Sequence, residues 1–87
     1  MPPAGIKGNL FAITGAASGI GRATAELLAA NGALLSLADK DGEAVLQFAE
    51  SLGGNAWACK VDVTNREEVE RWMTDTTRKF GRVLDGK

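Results

Sequence analysis

Three glycines, Gly15, Gly19 and Gly21, stand between an apolar run, Leu10-Phe11-Ala12-Ile13-Thr14, and a segment of helical periodicity that begins at about Gly19. Bare backbone at the end of a strand and the start of a helix constrains this chain more than any other feature. A helix N-terminus presents N–H groups without intrahelical acceptors and carries partial positive charge, and glycines let an anionic group approach it closely. The spacing is not the common G-x-G-x-x-G: Ala17 holds its second glycine and, read from Gly19, Thr24 falls at its third. It is not a phosphate loop either, since no Gly-Lys-Ser/Thr follows. Taken alone, the glycines also fit a tight strand-to-helix turn packed against a sheet.

The rest of the chain repeats that alternation. Ile20, Ala23, Leu27 and Ala30 recur at spacings of three and four and form the expected buried stripe of the first helix, with Arg22 and Glu26 on its other side and Asn31-Gly32 as its stop. Leu34 to Ala38 is a near-continuous apolar run ending at Asp39, the pattern of a strand covered on both faces. Asp41 can cap a second helix whose stripe is Val45, Phe48, Ala49 and Leu52, stopped at Gly53-Gly54. A third strand is expected over Asn55 to Val61, then a capping box, Thr64-Asn65-Arg66-Glu67, opening a third helix that carries Val69, Trp72, Met73, Thr76 and Phe80 on one face and stops at Gly81. Arg82 to Lys87 reads as the start of a fourth strand. The order β-α-β-α-β-α with short connections is that of an α/β protein with parallel strands joined by right-handed crossovers.

Two carboxylates narrow what the glycine turn could hold. Asp39 ends the second strand about 20 residues beyond the glycines, where a dinucleotide fold places the acid that accepts hydrogen bonds from the adenosine ribose. A carboxylate there repels a 2′-phosphate and favours NAD, with NADP second, while the neighbouring Lys40 is a cation that could tolerate that phosphate. Asp62 follows the third strand, and strand ends in an open parallel sheet face the ligand crevice, so it could reach an adenine amino group. The plainer reading of Asp62 is an Asx-type turn ahead of the helix, and that of Asp39-Lys40-Asp41-Gly42 is a solvated turn.

Composition removes other classes. With 87 residues the chain makes one small domain, and 10 Lys and Arg against 11 Asp and Glu, spread without blocks, leave no footprint for nucleic acid or an anionic membrane surface. The longest purely apolar run, Leu10 to Ile13, is far too short to span a bilayer. Residues 1–7 lack the pattern of a secretory signal, so a cytoplasmic location is expected. Cys59 is the sole cysteine and reads as a small core residue; with no histidine the sequence offers no metal-ligand cluster. The absence of both histidine and tyrosine also removes two common proton-transfer side chains.

Thr14-Gly15-Ala16-Ala17-Ser18-Gly19-Ile20-Gly21 resembles the T-G-x-x-x-G-x-G cofactor signature of the short-chain dehydrogenase/reductase family. Leu37-Ala38-Asp39, Val61-Asp62-Val63-Thr64 and Phe80-Gly81-Arg82 resemble further ordered motifs of that family, so the likeness runs over most of the chain. The resemblance implies residues 1–87 as a single, partial NAD(P)-binding Rossmann domain: a truncated Rossmann-like doubly wound fold of three parallel strands with three helices. It implies that Gly15, Ser18, Gly19, Ile20 and Gly21 surround the pyrophosphate and adenine ribose, that Asp39 holds the ribose hydroxyls, that Asp62 meets the adenine amino group, and that Val63 meets the adenine ring through its backbone. The implied chemistry is hydride transfer between nicotinamide and an alcohol or carbonyl carbon. The family's catalytic Ser and Tyr-x-x-x-Lys pair are absent from these residues, so the chain is not expected to complete that reaction alone; the alternative is a non-catalytic adenine-nucleotide-binding or interaction module derived from the family. Without a fourth strand, the edge of Leu10–Thr14 is expected to support self-association.

Overall fold

The computed structural model describes residues 6–81, so the expected strand start at Val83-Leu84 lies outside the described residues. The elements are β1 (Leu10–Thr14), α1 (Gly19–Ala30), β2 (Leu34–Asp39), α2 (Gly42–Leu52), β3 (Ala56–Lys60) and α3 (Arg66–Phe80). The strands form one parallel sheet in the order β1-β2-β3, with Leu10 opposite Leu34 and Ala38 opposite Cys59. No helix among the described residues is long and apolar enough to cross a membrane.

β2 is the centre of this sheet, and its residues alternate between two covers. Leu35 and Leu37 lie in a core with Ala25 of α1 and Val45, Phe48 and Ala49 of α2. Ser36 and Ala38 face the other way by the two-residue period of a strand and meet α3. There the Trp72 Nε1–H donates to Ser36 Oγ at 2.9 Å, and the Thr76 hydroxyl donates to the Trp72 carbonyl at 2.7 Å. Since the Thr76 proton is committed, the Ser36 hydroxyl is the donor in the 2.7 Å contact between the two oxygens. The polar atoms of this Ser36–Trp72–Thr76 network are therefore satisfied inside an apolar layer, which fixes α3 in one rotation on the sheet.

Most of the expected boundaries stand: Asn31 caps the end of α1, Asp41 accepts the Ala44 N–H at 3.0 Å, and Gly53 and Gly81 close α2 and α3 with positive φ. β3 is shorter than expected, Ala56–Lys60. Phe48 and Trp72 are core residues, as expected, while Trp57 and Phe80 are half-buried and meet edge to face at 6.5 Å.

Two expectations are corrected. The sheet-facing side of α1 is Gly21, Ala25, Leu28 and Ala29, whereas Ile20 and Leu27, from the expected stripe, are 86% and 63% exposed. The cause is Gly21, because a Cβ there would overlap the Gly15 carbonyl oxygen and lie 3.0 Å from that of Thr14. The helix seats where its smallest residues permit close approach, not where its largest apolar residues lie. That rotation brings Arg22 to α2, with its guanidinium carbon 4.7 Å from the Phe48 ring centroid. The cap of α3 is Asn65, whose side chain accepts the Glu68 N–H at 3.2 Å, and not Thr64. The Thr64 hydroxyl is instead donated to Asp62 Oδ1 at 2.6 Å.

Candidate functional site

The carboxyl ends of the three strands open onto one cleft of about 440 Å³. β1 and the loop behind it contribute Thr14, Gly15 and Ser18; β2 contributes Asp39 and, just beyond it, Lys40; the turn after β3 contributes Val61, Asp62, Val63 and Thr64.

Gly15 and Gly19 both have φ of 61°, a left-handed conformation that carries the chain round from β1 into α1. α1 starts at Ser18 without a side-chain cap or an acidic residue in its first turn. α2 and α3, by contrast, have Asp41 and Asn65 as caps, followed by Glu43 and by Glu67 and Glu68. The positive end of α1 is thus left for an external anion, beside backbone that bears no side chains at Gly15 and Gly19.

Asp39 ties this loop to its neighbours. Its Oδ2 accepts the Ala17 N–H and its Oδ1 accepts the Asp41 N–H, both at 3.0 Å. Its backbone carbonyl accepts the Val61 N–H at 3.0 Å, and that of Ala38 accepts the Ala16 N–H at 3.1 Å. Each carboxylate oxygen keeps a further lone pair, so Asp39 can hold the glycine loop and still accept a hydrogen bond from a ligand hydroxyl.

Asp62 is fully exposed and turned by Thr64, whose N–H (2.9 Å) and hydroxyl (2.6 Å) both reach Oδ1. Those bonds, the hydroxyl's first, together with the charge of Lys40, hold the carboxyl below its ordinary value of 3.8. The Asx-type turn read from the sequence is therefore present, and it leaves Oδ2 free of hydrogen-bond partners among the described residues.

Five of the eight site residues read from the sequence, Gly15, Ser18, Asp39, Asp62 and Val63, line this one cleft. Gly19, Ile20 and Gly21 do not line it: Gly19 completes the turn into α1, Ile20 is exposed in the first helical turn, and Gly21 seats the helix behind Gly15. Thr64 was assigned to a helix cap by its spacing to Glu67, and the competing signal, a hydroxyl two residues after an Asp, marks its actual role. The Ala17 amide carried no signal, since any residue but proline supplies one. Cys59 is half-buried, and burial, then Asp75, pushes its thiol up, away from nucleophilic character. No group of His, Cys, Asp or Glu among the described residues could hold a metal ion.

Residues 9–85 match the family model described as short chain dehydrogenase. The chain is 40% identical over 85 residues to short-chain dehydrogenase/reductase ABA4 of Pyricularia oryzae, covering 93% of this chain and 31% of that protein. It superposes with a TM-score of 0.85 on 3-ketoacyl-(acyl-carrier-protein) reductase from Brucella melitensis complexed with NADH, at 31% identity over 90% of this chain and 32% of that one. The TM-score is also 0.85 with a short chain dehydrogenase/reductase from Burkholderia phymatum in complex with NAD, at 36% identity over 90% of this chain and 29% of that one. The chain spans about a third of the length of the relatives it matches.

Proposed function

The chain belongs to the short-chain dehydrogenase family, and from that premise we propose that it is the dinucleotide-binding segment of an oxidoreductase that transfers hydride between a nicotinamide cofactor and an alcohol or carbonyl substrate. The observation that carries this reading is the meeting of Gly15, Ser18, Asp39, Asp62 and Val63 in one cleft at the carboxyl ends of three parallel strands. Support also comes from the two solved relatives that hold NADH and NAD. The bound cofactor would supply the carbon that accepts or donates hydride. The residues of this chain would bind and orient its adenosine and pyrophosphate. The α1 N-terminus and the backbone from Gly15 to Gly21 would face the pyrophosphate, with Ile20 over it from the first helical turn. Asp39 would accept the ribose hydroxyls, Asp62 Oδ2 the adenine amino group, and Val63 would flank the ring. The residues that line the cleft do not favour a non-catalytic binding module over this reading.

NAD is the preferred cofactor in this proposal, because a 2′-phosphate would add negative charge beside Asp39. Lys40 lines the same cleft and offsets part of that repulsion, so NADP should still bind. Calorimetric titration should show NAD binding roughly tenfold more tightly than NADP, and Asp39→Ser should bring the two within about twofold. Tighter binding of NADP by the unaltered protein would overturn the preference, and failure to bind either would overturn the reading.

A second proposal concerns assembly. β1 pairs only with β2 among the described residues, which leaves Phe11 and Ile13 half-buried on a row of open N–H and C=O groups. The 87-residue polypeptide should therefore self-associate with rising concentration in sedimentation velocity, and a single monomeric species throughout would refute it.

A further inference from the structure

Behind Asp62, on the face of the turn away from the cleft, the Glu68 Oε1 accepts the Asp62 N–H at 3.0 Å. A capping box would have sent that carboxylate to the N–H of the cap residue, Asn65. That N–H is already donated to the Asp62 carbonyl at 2.9 Å, and Glu68 reaches three residues further back, onto a residue of the cleft. Glu68 is half-buried in a smaller hollow with Lys60 and Arg71, and its own N–H is donated to Asn65 Oδ1. It shares a helix face with Trp72, four residues on, which is buried and bonded through Nε1 to Ser36 in β2. A continuous path of bonds thus runs from the centre of the sheet through Trp72 and the first turns of α3 to Glu68 and the backbone of Asp62.

The Asp62 carboxylate is fully exposed, so nothing packed around it holds its orientation. Its backbone N–H is held by Glu68, its carbonyl by Asn65 and its Oδ1 by Thr64, which together leave Oδ2 aimed by the turn alone. We propose that Glu68 is a positioning residue of the adenine end of the cleft: by holding the Asp62 N–H it sets the orientation in which Asp62 Oδ2 meets an exocyclic amino group. This rests on the dinucleotide reading above, and it assigns to α3 a part in base selection, although no residue of α3 lines the cleft.

The test compares NAD with nicotinamide hypoxanthine dinucleotide, in which a carbonyl oxygen replaces the adenine amino group and would face Asp62 with the wrong polarity. The dissociation constant of the hypoxanthine dinucleotide divided by that of NAD reads the contacts to the base edge at Asp62 and Val63, since a general loss of folding or of pyrophosphate binding weakens both ligands together, and the Asp62→Asn variant isolates the Asp62 share. Glu68→Ala should lower that ratio about fivefold, the scale of the net contribution of one ordinary hydrogen bond. Glu68→Gln, which keeps the accepting oxygen, should retain it. Glu68→Asp keeps the charge but falls one methylene short and should behave as Glu68→Ala, which supplies a second reading if the alanine variant does not fold. An unchanged ratio in both shortened variants, with a collapsed ratio in Asp62→Asn, would overturn the role of Glu68 and leave the dinucleotide reading intact. An unchanged ratio in Asp62→Asn as well would overturn the adenine assignment itself, and the role of Glu68 with it.

Discussion

In the proposed assignment the two oxygens of the Asp62 carboxylate have different tasks, and its titration reports on only one of them. Oδ1 is bonded by the hydroxyl and the N–H of Thr64, and these two bonds stabilise the ionised form and lower the group below 3.8. A carboxyl whose folded value is depressed adds stability at pH above its unfolded value and loses that contribution as pH falls through the folded value. The contribution of Asp62 is therefore fully present in the neutral range and is lost only as pH falls below about 4. Thr64→Val removes the hydroxyl and leaves the N–H, so the Asp62 carboxyl should titrate at a higher pH in the variant, still short of the unperturbed value. Carbon-detected NMR of the side-chain carboxyl measures this directly, and a value unmoved by the substitution would show that the hydroxyl is not what lowers it. At this scale the sequence was readable for the place of Asp39 and Asp62 at the cleft, because each stands at a strand end where polarity changes abruptly. It was not readable for Thr64 or Ala17, whose parts depend on which of two nearby partners wins a hydrogen bond.

The same division between pattern and packing holds for α1. Its existence and limits followed from spacing and from Asn31-Gly32, yet the periodicity of its large apolar residues pointed to the wrong face. Helical period identifies a stripe only when the apolar residues that define it are the ones in contact. Here contact is set by Gly21 and Ala25, which are small enough to bring the helix backbone onto the sheet. In α2, where Val45, Phe48 and Ala49 all belong to the core, size and contact agree and the stripe was read correctly. The β strands were legible for a related reason: β2 is covered on both faces, and an apolar run broken only by Ser36 can mean little else between two helices. From the observed face of α1, Leu27→Ala should change stability by no more than about 0.5 kcal/mol, since the side chain lies in solvent. Ala25→Leu forces three additional carbons into a layer that has no room for them and should cost about 1–3 kcal/mol. Urea denaturation of the two variants separates the alternatives, and a larger loss for Leu27→Ala than for Ala25→Leu would restore the face expected from the sequence.

Each βα connection of the molecule ends in the same cleft, so a ligand seated there bridges all three units of the sheet. The loop after β1 gives Gly15 and Ser18, the end of β2 gives Asp39, and the turn after β3 gives Asp62 and Val63. In the proposed assignment these residues meet the adenosine and pyrophosphate, and none of them meets the nicotinamide. A ligand that binds the folded chain and not the unfolded one raises stability by RT ln(1 + [L]/Kd), which is about 2.7 kcal/mol when the free ligand is at 100 times its Kd. For a domain of this size each kcal/mol corresponds to roughly 4–8 °C in Tm. AMP should therefore raise the thermal midpoint by about 10–20 °C at that degree of saturation. Nicotinamide mononucleotide at the same concentration carries a phosphate and a ribose but no adenine, and should give a shift only a small fraction as large. Differential scanning calorimetry with the two mononucleotides reads the comparison without any need for catalysis. Equal shifts would mean that the cleft recognises ribose phosphate alone, so that Asp62 and Val63 take no part in choosing the base.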